Sequence, residues 1–282
     1  MSDPITSASN PQIKDLVRLR DRRHRDRTGT FVVEGYRSIL RAAEGGLVFE
    51  RLYVSPGLFL GSNEAQLIER IAGTGTPVIE VAVEPFRKAA YRDRPEGLLA
   101  VARQFATSIE ALQPGADPLL FVVEAIEKPG NLGTMLRTAD AAGCDAVIVC
   151  DPTTDPFNPN VVRASTGMLF VVPLAVASTD ETIEWLHRHR IATFATTPAT
   201  ETLHTDADLT GAVAIVVGTE QYGLSDTWLE RADHRIRIPM AGAADSLNAA
   251  MAAGITLFEA VRQRHAGRLS DSNSGGIEKS HG

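Results

Sequence analysis

The chain has 282 residues, 28 basic against 35 acidic side chains for a net charge of −7, and 44% hydrophobic residues. That length holds two domains of ordinary size, and that apolar content fills their cores. There is no apolar run of about 18 residues to span a membrane and no secretory start at Met1-Ser-Asp-Pro; Cys144 and Cys150, the only cysteines, fit neither a zinc site nor a disulfide framework, so a reducing cytoplasm is expected.

Taken in chain order, Asn10-Pro11 reads as a helix entry, with Ile13, Leu16, Val17 and Leu19 as its apolar face. Lys14, Arg18, Arg20, Arg22, Arg23, Arg25 and Arg27 crowd this stretch, and 22–27 reads as a charged loop or frayed helix end. Such a cluster is either a solvated charged face or a contact to a nucleic-acid backbone, where each neutralised phosphate releases counterion. Strands are predicted at 31–34, 52–55, 77–81 and 97–103, and helices at 64–72 and 83–90. Their alternation makes 1–105 a small α/β domain. Within it, Glu34 and Arg37 read either as RNA contacts or as a local helix cap and salt bridge. Residues 106–118, with two prolines and a glycine, form a linker.

The second domain, 119–265, opens with an apolar strand at 119–124. Next comes a helix with Asn131 near its start and Met135, Leu136 and Ala139 inward. Further strands are predicted at 146–150, 170–174, 191–196 and 213–218, and helices at 161–168 (carrying Arg163), 180–189 and 225–232. This order predicts a parallel sheet covered on both faces. His187 and His189 lie two apart on a helix and make a poor metal pair, so no metal is expected. Ile236 and Ile238 alternate with arginines as a half-buried strand, which Pro239 stops. A small-residue loop follows, then a helix that Asp245 or Ser246 can cap. Leu247, Met251, Gly254, Ile255, Phe258 and Val261 recur at helical spacing, which predicts one buried face. Residues 266–282 read as a disordered tail.

In an open parallel sheet, ligands bind beyond the carboxyl ends of the strands. Thr196, Gly218 to Glu220 and Ile238 to Gly242 each follow such an end and can together hold a nucleoside-sized ligand. The loop between Met240 and Asp245 has almost no side chains: either it lays main chain against a flat polar ligand, or it is a close-packed turn. The first strand of this domain leads to Glu127-Lys-Pro-Gly130-Asn-Leu-Gly133, without the glycine spacing of a Rossmann methyltransferase or dehydrogenase. No phosphate-binding loop ending in Gly-Lys-Ser/Thr occurs.

Three stretches together are specific. Asn131-Leu-Gly-Thr-Met-Leu-Arg137, Val217-Gly-Thr-Glu-Gln-Tyr-Gly-Leu-Ser225 and Ile238-Pro-Met-Ala-Gly-Ala-Ala-Asp-Ser-Leu-Asn248 resemble, in order, the three signatures of the SPOUT class of RNA methyltransferases, in the branch that methylates ribose 2′-hydroxyls. With Gly29-Thr-Phe-Val-Val-Glu-Gly35 and Gly97-Leu-Leu-Ala-Val-Ala102, the first domain is similar to the ribosomal-protein-L30-like, RNA-binding domain that precedes many SPOUT domains. The resemblance implies a SPOUT domain with a deep C-terminal trefoil knot, S-adenosylmethionine as cofactor, a homodimer with the last helix at its interface, and ribosomal RNA, 23S preferred, as substrate. Enzymes of this type include antibiotic-resistance methyltransferases such as the avilamycin-resistance kind. Transfer RNA is the alternative substrate, and a non-catalytic RNA-binding or ribosome-assembly protein the reading from another class. By position the resemblance implies Arg137, Asn131, Glu220, Ser246 and Asn248 as catalytic, and Thr196, Gly218, Ile238, Met240 and Leu247 around the cofactor. Gly218 is expected to let main chain approach adenosine. Arg18, Arg22, Arg23, Arg25, Arg37 and Arg163 are the expected RNA contacts. Family mechanisms cast Arg137 as a general base; a guanidinium with a pKa of roughly 12.5 or more fits better as a phosphate clamp that stabilises the developing alkoxide.

Overall fold

The structure is a computed structural model that describes residues 3–243 and 245–274. In chain order the elements are α1 (Pro11–Arg18), α2 (Arg22–Thr28), β1 (Thr30–Glu34), α3 (Tyr36–Glu44), β2 (Phe49–Val54), α4 (Glu64–Ala72), β3 (Val78–Glu80), α5 (Val83–Ala89) and β4 (Leu98–Arg103). There follow β5 (Leu119–Glu124), α6 (Pro129–Ala142), β6 (Ala146–Cys150), α7 (Pro159–Ser165), β7 (Leu174–Ala177), α8 (Thr179–Arg188), β8 (Ala192–Thr196), β9 (Val213–Val217), α9 (Asp226–Arg231), β10 (His234–Ile236) and α10 (Ala249–Ser274).

Two compact units interleave along the chain: Met1–Ala106 with Lys128–Thr134 and Thr154–Val171, and the remainder. In the first, a four-stranded sheet has the order β1-β4-β2-β3, with β4 antiparallel to both neighbours. Ile13, Leu16 and Leu19 of the N-terminal segment join Phe86, Val32, Leu99 and Val101 in its core. The Asn10 side chain accepts from Gln12 N at 2.8 Å and Pro11 opens α1, as its local chemistry predicts. The stretch 22–27, read as a loop or frayed end, is the capped helix α2. Asp21 accepts from Arg23 N, and Gly29 at φ +62 closes the far end. Residues 154–171 cluster with this unit because Phe157 packs on Phe31 and Phe105, at ring centroid distances of 4.9 and 5.0 Å.

The second unit holds a wholly parallel six-stranded sheet, order β10-β8-β9-β5-β6-β7, matching the expected sheet class. From β5 the order grows through β6 and β7 on one side and through β9, β8 and β10 on the other, which makes the β5/β9 boundary a switch point of the kind where ligands gather. Leu120, Val122, Ile148, Val216, Trp185, Leu186 and Trp228 form one core layer. The predicted strand at 170–174 is corrected: Met168–Phe170 is a 3-10 turn and β7 starts at Leu174, after Pro173. Free Cys144 and Cys150 are buried here, and burial pushes both thiols up to about 12.

α10 departs from expectation in two ways. Its buried face is Ala250, Ala253, Leu257 and Ala260, whereas Met251, Ile255 and Phe258 are 61%, 36% and 48% exposed. It also runs on to Ser274, through the start of the expected tail; 275–282 lie outside the described residues. Arg264 anchors it by donating to the carbonyls of Asp117, Pro118, Leu209 and Gly211. Gln263 accepts from Leu209 N and donates to Ala207 O, at 2.8 and 3.0 Å. A two-pronged bond from Arg262 holds the Glu259 carboxyl at about 2, well below the usual range.

Candidate active site

The site builds on the adjacent carboxyl ends of β10, β8 and β9. Register pairs Ile236 with Thr196 and Ala195 with Val216, so the three strands end side by side. Thr196 Oγ1 donates to Val216 O at 2.8 Å, and Thr197 N donates to Ile236 O at 2.9 Å. The Thr196 hydroxyl proton therefore holds β8 to β9, leaving the hydroxyl oxygen only as an acceptor beside the backbone that this position offers a ligand. Beyond β10 the chain is irregular: Ile238 and Leu247 are half-buried, Met240 and Ser246 exposed.

After β9 the chain turns back at once. Thr219 N donates to Gly223 O at 2.9 Å, Gly223 N to Thr219 O at 3.1 Å, and Tyr222 N to Thr219 Oγ1 at 3.0 Å. A Cβ on buried Gly218 would overlap the Gly223 carbonyl. Gly218 was expected to admit a ligand; in this structure its missing side chain is what lets the hairpin close. That closure sets Glu220, whose Oε1 accepts from Asn248 Nδ2. Asn248 Oδ1 in turn accepts from Ala250 N at 3.0 Å and caps α10. The cap is thus Asn248, correcting Asp245 and Ser246, and the second and third signatures meet through a side-chain bond.

Arg137 is exposed on α6. The neighbouring Thr138 Cγ2 lies 3.8 Å from where a Gly254 Cβ would stand, so this part of α6 runs beside α10. Asn131, in the first turn of α6, belongs to the first unit. Gly133 of the same signature has a packing explanation: a Cβ there would overlap that of Ala164 in α7.

The basic residues divide. Arg18, Arg22, Arg23, Arg37 and Arg163 are exposed on the first unit. Arg22 is 3.5 Å from Asp26, and Arg163 stands 5.7 Å over the Tyr91 ring. Arg25 is corrected as an RNA contact: it is 1% exposed, donating to Leu19 O and Arg20 O at 2.8 Å and to Asp155 Oδ2 at 2.5 Å. Its Nη1 and Nη2 groups are bonded inside the unit, which keeps the charge from an RNA backbone. Glu34 proves a local latch, its Oε2 accepting from Tyr91 N and Arg92 N, while burial raises its pKa.

One residue escaped sequence reasoning. Buried Glu124, at the end of β5, accepts from Ser225 Oγ and Thr179 Oγ1 on one oxygen and from Ser225 N on the other, at 2.6, 3.1 and 2.8 Å. It ties the last residue of the second signature to the starts of α8 and α9. The available signal was an acidic residue closing an otherwise apolar strand. Glu124→Ala leaves the buried Thr179 hydroxyl and the part-buried Ser225 donors without their acceptor and is expected to cost about 1–3 kcal/mol, read from the urea midpoint at unchanged slope. A loss below about 1 kcal/mol would contradict that bridging role.

Residues 118–258 match the SpoU rRNA methylase family, and residues 10–100 match the MRM3-like substrate binding domain. The 23S rRNA (uridine(2479)-2′-O)-methyltransferase of Streptomyces viridochromogenes is 33% identical over 89% of both chains. A crystal structure of an RNA 2′-O ribose methyltransferase superposes with a TM-score of 0.83 at 42% identity, over 93% of this chain and all of that one. The SpoU methyltransferase AviRb of Streptomyces viridochromogenes, solved with the cofactor AdoMet, gives 0.84 at 31% identity, over 91% and 99% of the chains. Signatures, sheet and relatives agree, and the chain belongs to the SpoU rRNA methylase family.

Proposed function

We propose that the protein methylates a ribose 2′-hydroxyl of 23S ribosomal RNA with S-adenosylmethionine, and that the mark confers resistance to a ribosome-targeting antibiotic. The observation that carries the reading is the junction of Glu220 and Asn248 beside the aligned ends of β8, β9 and β10. The donor set fits the cofactor: main chain at Thr196, Gly218, Ile238, Met240 and Leu247 suits a flat, polar adenosine and an amino-acid arm. Bound there, S-adenosylmethionine supplies an electrophilic methyl group. The chain's own part is to bring a 2′-oxygen into line and raise its reactivity. Arg137 takes the phosphate beside the target ribose and stabilises the developing alkoxide. Asn131 orients ribose or Arg137; Glu220 and Asn248 fix the loops, with Ser246 lining the site. A 2′-O-methyl group removes a donor and adds bulk, which is how a drug site in RNA would be spoiled.

The reading includes an L30-like RNA-binding domain at 1–105, a SPOUT domain at 119–265 with a C-terminal trefoil knot, and a place in the cytoplasm. Support comes from the match over 10–100, from α10 being held to the 207–211 segment, and from two free thiols. It also includes a homodimer, for which the exposed stripe Met251, Ile255 and Phe258 is the observation. These positions recur at i, i+4 and i+7, one apolar ridge on one helix. Light scattering at micromolar concentration is expected to give twice the chain mass, and Phe258→Glu the chain mass. A wild-type monomer would end the dimer proposal.

The test of function is tritium transfer from labelled S-adenosylmethionine to ribosomal RNA lacking the modification, then alkaline hydrolysis. One resistant labelled dinucleotide is the expected result, because a 2′-O-methyl blocks cleavage at its own linkage. Label on a base overturns the ribose chemistry, and label only in transfer RNA overturns the substrate.

A further inference from the structure

The first unit contains an open groove of about 470 Å³, lined by none of the residues assigned to methyl transfer. Its wall includes Arg37, Ser38, Leu60, Glu64, Arg92 and Thr166. Three of these side chains present polar atoms that are buried yet lack a hydrogen-bond partner among the described residues: Ser38 Oγ, Glu64 Oε2 and Arg92 Nε. Ser38 and Glu64 are only 1% and 5% exposed. A buried polar atom left open costs stability unless something else completes it.

These groups are held in place rather than loosely disposed. Glu64 Oε1 accepts from Leu60 N and Gly61 N at 3.2 and 3.0 Å, which fixes the other oxygen. Arg92 is bonded to Glu96 through Nη1 and to Glu34 O through Nη2, and its guanidinium lies where a Gly35 Cβ would be. Glu96 in turn accepts from Tyr36 N at 3.2 Å. These buried, unpartnered atoms thus form a rigid set: one carboxylate acceptor, one hydroxyl able to do either, one guanidinium donor. Leu60, 79% exposed, adds apolar surface, and exposed Arg37 adds a cation.

Mixed acceptors and donors within a cleft of this size suit the edge of a nucleobase with its face against apolar surface and its phosphate near a cation. We propose that this groove is a subsite for one unpaired RNA nucleotide distant in sequence from the methylated ribose, the amino edge of its base meeting Glu64 and Ser38, and its phosphate meeting Arg37. This rests on the proposed action on RNA and makes it specific: the first unit reads a nucleotide as well as a backbone. A paired strand cannot turn a base edge into such a cleft, so the bound region is single-stranded at that point.

The test is filter binding of the full-length protein to a labelled, unmodified transcript of large-subunit ribosomal RNA. Glu64→Gln keeps a carbonyl for the Leu60 and Gly61 amides but allows a donor where the open acceptor stood. It is expected to weaken RNA binding about tenfold and to raise KM for RNA by the same factor, with kcat, S-adenosylmethionine affinity and melting temperature held. Ser38→Ala, smaller and without strain, is expected to weaken binding severalfold. Arg37→Ala is expected to reduce the salt dependence by about one ion. Folded Glu64→Gln and Ser38→Ala proteins with wild-type RNA affinity overturn the subsite. If the wild type still methylates the transcript in that case, the proposed function stands without the groove. Weakened binding by variants of a protein that transfers no methyl keeps the subsite and overturns the reaction.

Discussion

Arg137→Ala is expected to lower kcat for RNA methylation by about 10²–10³-fold while leaving S-adenosylmethionine affinity and melting temperature unchanged. The expectation follows from where the residue sits and what it can do. It is exposed on α6, one position before Thr138, which lies beside α10. Removal therefore leaves no cavity and, among the described residues, no buried partner behind. A guanidinium has five donors and no acceptor, so its use to the reaction is to hold a phosphate and to meet negative charge that grows on the 2′-oxygen. A group that helps only as charge develops alters kcat more than ground-state binding. Arg137→Lys keeps the charge but loses the fork, and is expected to retain a few per cent of activity. Isothermal titration with S-adenosylmethionine and single-turnover methyl transfer would separate the two quantities. Near-normal turnover in Arg137→Ala would remove this residue from the mechanism. A loss of cofactor affinity equal to the loss of rate would move it to the cofactor.

How much of this was legible in the sequence depends on where each residue's partner lies. β5, β6 and α4 begin and end where their local patterns place them, because unbroken apolar runs and a clear helical period leave one solution. The motifs also located Glu220 and Asn248, which the fold brings into contact. Arg25 was misread because a string of arginines looks solvated, and the carboxylate that receives it is 130 residues away. α10 was misread because periodicity finds large apolar residues without saying what they face. Its own unit takes the alanine side, where helices and sheet approach closely, and the bulky ridge is left outward. Glu124 carried almost no local signal, since its partners come from two later loops.

Gly218→Ala is expected to cost about 1–3 kcal/mol of stability in the cofactor-free protein, a fall of several degrees in melting temperature, and to weaken S-adenosylmethionine binding at least tenfold. Gly218 follows β9 directly, and an added Cβ meets the backbone of Gly223, which cannot rotate away as a side chain would. Relief requires the 219–223 hairpin to open, which breaks the paired bonds between Thr219 and Gly223. Glu220 sits on that hairpin, so its bond to Asn248 is strained next, and with it the cap of α10. One methyl group therefore reaches the edge of the sheet, the entry to the last helix and the main chain offered to the cofactor. Two explanations of this glycine are separable by experiment. If it serves ligand clearance alone, the alanine variant melts like wild type without cofactor and differs only in affinity. If it serves hairpin closure, both quantities fall, and a restored melting temperature on saturation reports how much of the opened loop the cofactor can re-form. An unchanged melting temperature in the cofactor-free variant would return Gly218 to the role its motif position first suggested.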